Sequence, residues 1–447
     1  MSPRNRSLVV LAVLAIVFLG SLTLLGPRLV LAATDSPITN PTDFRAFYCG
    51  GAVVGMRADP YRVQPLMACE QHALATFKLT MLPNFVLPAP LPPYALFGFA
   101  AIARLPFPIA SIAWCILSVV LLALTIGILA RLTGLPILVV GLVLVAADGY
   151  ASLVIGQIVP LVVFALVAAA RCMRDERYVA ASIFLGSAMI EPHVAMPALA
   201  ASVFFVPRMR IPLAVVIGAL VLISFVAVSP AVVFEYVARV LPAHARSEVG
   251  GFGAQYSLTS LLFALGVGAD AAVRAGEIAY VLTTFVGLYC TKRMSQDHGD
   301  VAYVVLLPAA FATFGGVFIH IHQMAAALPA ALLLYAQLGR YGRWSAVLAM
   351  AVVLLAIPWE SIAETPTIMN AYARGRVATH RDLPMVRAEA LAEEPEIAYI
   401  DAGGSYVDGR SVAEMILWKA PTWIALVIVL GTALRLSRRH GVIAIVT

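Results

Sequence analysis

The stretch Pro41-Thr-Asp-Phe-Arg-Ala-Phe-Tyr-Cys-Gly-Gly-Ala-Val-Val-Gly-Met-Arg-Ala-Asp-Pro-Tyr61 decides how the rest of the chain is read. It is the first polar segment after the nearly unbroken apolar run 8–31. One carboxylate, Asp43, stands at its start and is followed by an aromatic-rich segment. Gly55 opens a turn that Asp59-Pro60-Tyr61 closes. An acidic residue just beyond so long an apolar run places this stretch at a membrane surface.

The totals agree. Of 447 residues, 62% are hydrophobic and 12% charged, and the mean hydropathy is +0.93. A soluble domain carries about a quarter charged residues, so the expected fold class is an all-α polytopic membrane protein. The formal net charge of +6 is accounted for by Lys and Arg at cytoplasmic helix ends and implies no nucleic-acid partner.

Arg4 and Arg6 before the run 8–31 read as an uncleaved signal anchor with its N-terminus inside. Residues 33–106 form a first outer loop, with 93–104 as a helix lying at or dipping into the outer face. Spans then alternate over 107–130, 135–147, 156–171, 178–190, 194–206 and 211–229. A loop over 230–255 and a re-entrant segment over 257–268 follow, then spans over 272–290 and 301–319. The chain returns to Arg340, goes out over 344–358, and comes back over 414–434 after an outer loop, 359–413. The short loops assigned to the cytoplasm all carry Lys or Arg, which sets both termini inside the cytoplasmic membrane. The expectation is a single integral-membrane unit over 1–447 with about twelve spans. Several segments hold only about 13–15 apolar residues, short of the roughly 20 that a span needs. They stop partway and leave a recessed polar cavity.

With orientation set by basic residues alone, Asp43, Asp148, Gln157, Glu191, His193, His320 and His322 all fall toward the outer face. Ionisable groups at the ends of apolar helices are costly and usually face a cavity. Their convergence points to a site with general-base and anion-binding capacity. Each also has a plainer reading. Asp43 is a preferred N-cap residue, and Asp148 is a typical turn residue. Glu191 and His193 flank Pro192 and are placed to pair with each other. On a helix, His320 and His322 point to nearly opposite sides, so one at most faces the cavity. No pair has the spacing of helical zinc ligands, and no metal is expected. Cys49 and Cys69 share the first outer loop and are either a disulfide or two buried small residues.

Taken in order, several motifs resemble the family 87 glycosyltransferases, polyprenol-phosphate-mannose-dependent mannosyltransferases of the GT-C superfamily. They are Asp43-Phe-Arg-Ala-Phe-Tyr48 with Gly55-Met-Arg-Ala-Asp59-Pro60-Tyr61, Leu91-Pro92-Pro93-Tyr94, Gly156-Gln157-Ile-Val-Pro160, Gln255-Tyr256-Ser257-Leu258, and His322 seven residues before Pro329. The resemblance implies a GT-C-like fold with large outer loops and a polyprenyl-phosphate sugar as donor. A hexose, mannose in that family, would pass to a lipid or glycan acceptor with inversion, outside the cytoplasmic membrane. By analogy Asp43 is the general base and His322 a phosphate donor group, with Gln157 and Tyr48 as sugar contacts. Arg45, Asp148, Glu191, His193 and His320 complete the expected binding set. Where the family often has a basic residue before the proline, this chain has Glu191-Pro192. Arg45, Arg246 or an arginine of 359–413 would then replace the missing charge. A transporter or flippase of lipid-linked sugars is the alternative reading.

Overall fold

A computed structural model describes residues 42–76, 86–338, 343–363 and 411–439. The expected signal anchor 8–31 and most of the loop 359–413 lie outside these residues. Among the described residues every regular element is helical, and the one extended pairing is an isolated antiparallel bridge between Gln255 and His320.

Two helices, α1 (Thr42–Gly55) and α2 (Val63–Ala75), are followed by α3 (Pro93–Ile102). The bundle proper begins with α4 (Phe107–Thr133), α5 (Ile137–Val154), α6 (Val159–Arg174), α7 (Tyr178–Ala188), α8 (Pro192–Phe205) and α9 (Arg210–Ala227). Proline at the first helical positions starts α3, α4, α6 and α8, where its missing N–H costs nothing. The expected loop 230–255 is instead largely helical. Ser229 caps α10 (Pro230–Glu235), a π-helical turn over Tyr236–Val240 follows, and α11 (Leu241–Ser247) continues it. Ser229 and Pro230 form a helix start that charge content alone had hidden. Next come α12 (Leu258–Ala264), α13 (Ala269–His298), α14 (Ala302–Gly315), a 3-10 turn over Ile321–Ala327, α15 (Leu328–Leu338), α16 (Arg343–Ala356) and α17 (Val412–Arg439).

Burial shows which solvent the bundle is built for. Residues of α14 and α15 such as Tyr303, Leu307, Leu332 and Leu334 are fully buried. The outer helices expose large apolar side chains instead: Ile109, Ile112 and Ile116 on α4, Ile211 and Val215 on α9, Ile278 and Phe285 on α13. Apolar surface on this scale fits lipid and not water. Five helices among the described residues are long and apolar enough to cross a membrane. The expected count of about twelve is therefore not reached by length and composition. The difference lies in helices such as α7 (11 residues), α8 (14 residues) and α14 (14 residues).

Each end of the bundle has its own polar network. At one end, Arg174 at the foot of α6 binds both carboxylate oxygens of Asp300 and the carbonyl of Leu132, while Gln337 also donates to Asp300. The Asp300 carboxylate thus ties α4, α6, α14 and α15 together. At the other end lie Asp43, Gln157, Glu191 and His320. There α17 is fixed by a buried ion pair: Lys419 Nζ is 2.6 Å from Glu360 Oε1, with side chains 0% and 2% exposed. The same ammonium donates to the Gly253 carbonyl at 3.0 Å and lies 4.6 Å from the centre of the Tyr256 ring. Removing one partner strands a buried charge. Glu360→Ala is expected to destabilise the protein by about 3–5 kcal/mol, read as a lower midpoint of thermal unfolding in detergent. The double variant Glu360→Leu with Lys419→Met should recover most of that loss, because no charge is then left unpaired.

Candidate functional site

The site is built on a turn. Gly156 has φ of +73°, a left-handed conformation that glycine adopts without strain, between the end of α5 and the start of α6. The turn aims the Ile155 carbonyl at the first turn of α1, where it accepts the backbone N–H groups of Asp43 (2.9 Å) and Phe44 (3.3 Å). Gln157 presents its amide nitrogen to the Asp43 carboxylate. Asp43 is thus a residue of the first helical turn whose carboxylate is turned toward Gln157. An aromatic cluster holds α1 in place: Phe44 stacks on Trp114 at 5.3 Å and on Phe107 at 6.1 Å, and Trp114 Nε1 donates to the Gly156 carbonyl at 3.0 Å. Gly51 lets α1 lie against α3, since a Cβ there would sit 2.5 Å from the Phe99 backbone.

Behind α1, Arg45 lies 3.6 Å from Glu70 of α2, and both are buried. Glu70 also accepts the Leu87 N–H at 3.1 Å. Burial pushes the Glu70 carboxyl up to about 7, against the pull of Arg45 and that N–H. One helical turn further along α1, Cys49 is bonded to Cys69, so the disulfide reading of this pair holds. These links fasten the proline-rich strap 86–92, which also carries the Tyr61 hydroxyl on the Leu91 carbonyl (2.7 Å) and the Tyr236 hydroxyl on the Pro90 carbonyl (3.1 Å). Asp59 orders that corner by accepting Tyr61 N–H at 2.9 Å and Arg62 Nε at 2.9 Å.

Asp43, Gln157 and the strap form one wall of a cavity of about 840 Å3, ample for a sugar and its phosphate. Glu191, His193, His320, His322 and Gln323 line the same cavity, with Arg246 and Arg274 among its further lining groups. Three expected site residues are not on the lining. Arg45 faces Glu70, and Tyr48 donates its hydroxyl to the Leu105 carbonyl at 2.8 Å. Asp148 is buried, close enough to Glu191 for their charges to act on each other.

The expectation for the histidines needs correction. His320 and His322 both line the cavity, and their rings stack in parallel, 5.3 Å apart at 6°. His320 has extended backbone (φ −80°, ψ 160°) ahead of the 3-10 turn, so the α-helical geometry that would separate two such residues does not apply. Nor do Glu191 and His193 simply pair with each other. Gln323 Oε1 accepts the His320 N–H at 2.8 Å, so its amide nitrogen is the donor to His193 Nε2 at 3.0 Å. Gln323 also reaches the Glu191 carboxyl. Sequence reasoning missed Gln323, although it sits beside His322. The signal was a third polar residue in an otherwise apolar run.

These features define a helical membrane protein with an acid–amide–histidine site at one end of its bundle. The chain belongs to glycosyltransferase family 87, whose model matches residues 91–314, half of the sequence. It is a membrane glycosyltransferase, with a sugar donor and an acceptor as substrates. No curated protein matches it, and no solved structure does. The matched part contains Gln157, Glu191 and His193, while Asp43, His320, His322 and Gln323 lie outside it and meet those residues only in the fold.

The Cys49–Cys69 bond is directly testable. Proteolysis of non-reduced protein should give a cross-linked peptide pair that reduction separates, seen by mass spectrometry. Replacing both cysteines by serine removes the closure of a loop of 20 residues and should cost about 2–4 kcal/mol, read as a lower unfolding midpoint.

Proposed function

We propose that the protein moves a hexose, most simply mannose, from a polyprenyl-phosphate donor to a glycolipid or glycan acceptor. The single observation that carries this reading is the Asp43 carboxylate, held by Gln157 across from the stacked histidines in one cavity. A transfer of this kind needs a base for the acceptor hydroxyl and hydrogen-bond donors or charge for the departing phosphate. The acceptor oxygen attacks the anomeric carbon, and its proton passes to Asp43. The bond from that carbon to the phosphate oxygen breaks on the opposite side, inverting the centre. The leaving phosphate is received by His320 and His322, with Arg246 and Arg274 at the same cavity. Glu191, in place of a basic residue, is engaged by Gln323 and kept from acting as a bare anion toward the phosphate.

The site is assigned to the outer face of the cytoplasmic membrane. The disulfide supports that side, because Cys49 shares α1 with Asp43 and disulfides persist in oxidising compartments. It agrees with the arginines near the Asp300 end, on the cytoplasmic side by the positive-inside rule.

Asp43→Asn keeps the side chain's size and a hydrogen-bonding group but removes the base. In nanodiscs with labelled polyprenyl-phosphate mannose and a membrane lipid extract, transfer should fall by about 10²–10⁴-fold, with donor binding retained. Full transfer by that variant removes Asp43 as base. Donor movement between leaflets without transfer by wild type would overturn the transferase assignment.

A further inference from the structure

Glu248 stands at the histidine wall, and neither the mechanism above nor the sequence motifs use it. It ends α11 and lines the cavity. Its Oε2 lies 3.6 Å from His320 Nε2 and its Oε1 lies 3.9 Å from His244 Nδ1. The carboxylate is held from behind by Gln255, whose amide nitrogen donates to Oε2 at 2.5 Å and to the Glu248 carbonyl at 2.9 Å. Gln255 is itself fixed, because Ser257 Oγ donates to its Oε1 at 3.1 Å. The segment is zipped onto the histidine strand by the Gln255–His320 bridge, with Tyr256 N donating to Ile319 O (2.7 Å) and Ile321 N to Ala254 O (3.2 Å). Gly251 makes the return from Glu248 to Gln255 tight: a Cβ there would meet Gln255 Nε2 at 3.0 Å and the Glu248 carbonyl at 3.2 Å.

The charges around His320 give this arrangement a purpose. Its other titratable neighbours are His322, stacked on it, and His193 and His244, which lie within electrostatic reach. Burial lowers the proton affinity of His244; Glu248 opposes that, and His320 adds to it. A proton on any of these rings disfavours a proton on His320, and two stacked imidazolium rings repel. Among the described residues, Glu248 is the carboxylate within ion-pair distance of His320.

We propose that Glu248 is a positioning residue that turns His320 toward the cavity and supplies the negative charge that keeps it cationic. His320 then meets the donor phosphate as the cation of the pair, and His322 serves as its neutral hydrogen-bonding partner. This rests on the lipid-phosphate donor reading above and goes further by naming what charges the site.

The test is the titration of the His320 imidazole, followed by NMR on 15N-histidine-labelled full chain in nanodiscs and assigned through His320→Asn. In Glu248→Gln, which keeps the shape and the Gln255 contact, the midpoint should move down by about one pH unit or more. Glu248→Asp should restore much of the shift. Gln255→Leu, which leaves the carboxylate but removes its holder, should move it the same way by less. In parallel, polyprenyl phosphate without sugar should bind Glu248→Gln about tenfold more weakly at pH 7, a shift of one pH unit being one decade, and recover at pH 6. An unmoved His320 titration in Glu248→Gln and Gln255→Leu overturns the proposal. So does a loss of affinity that is equal at both pH values. Failure of mannose transfer by wild type would count against the donor assignment alone, since the imidazole titration reads Glu248 without it.

Discussion

The docking of the first turn of α1 onto the turn 155–157 is the contact on which the site depends. A helix start leaves N–H groups without intrahelical partners, and at the end of an apolar bundle such orphans are expensive. The Ile155 carbonyl satisfies two of them, and the Gln157 amide satisfies the Asp43 carboxylate beside them. One local structure therefore closes the backbone account and poses the acid in the cavity. It requires a left-handed residue at 156, supplied by glycine, and a rigid backing, supplied by Phe44, Phe107 and Trp114.

The opposite wall follows the same logic with different means. Because α14 ends at Gly315, the chain crosses the cavity as extended backbone before the 3-10 turn begins. Extended backbone in an apolar setting needs a partner strand, and residues 254–256 provide one. That partner is in turn pinned to α17 by Lys419 on the Gly253 carbonyl and by Trp423 Nε1 on the Tyr256 carbonyl at 3.2 Å. The histidines thus stand on a strip braced from the C-terminal helix. A buried ion pair is a costly brace in general; here the Lys419 ammonium also satisfies a carbonyl and rests on aromatic faces.

Much of this was legible in the chain. Runs of apolar residues with arginines at alternate ends announce a helical membrane protein, and the runs are short where the cavity lies. Three of the quoted motifs have plain structural roles: Gly156-Gln157 makes a left-handed turn, Asp59-Pro60-Tyr61 an ordered corner, and Leu91-Pro92-Pro93-Tyr94 the end of a strap that runs into a helix. Expectations failed where helix periodicity was assumed across a break. An α-helix would separate His320 from His322, but at His320 no helix has yet begun. Arg45 and Tyr48, both near Asp43 in sequence, turn their side chains to Glu70 and Leu105, away from the cavity.

Composition and order by themselves determined the membrane class, the alternating helices and the gathering of Asp43, Gln157, Glu191 and the histidines at one end. Those properties follow from transfer free energies and helix length, which are sums over neighbouring residues. Only the tertiary structure decided which of these groups face one another. Gln323 between Glu191 and His193, Glu248 beside His320, and Glu70 behind Arg45 are pairings between residues far apart in the chain, 130 positions in the case of Gln323 and His193. They are set by how helices of unequal length end against each other, and no local pattern in the chain encodes that.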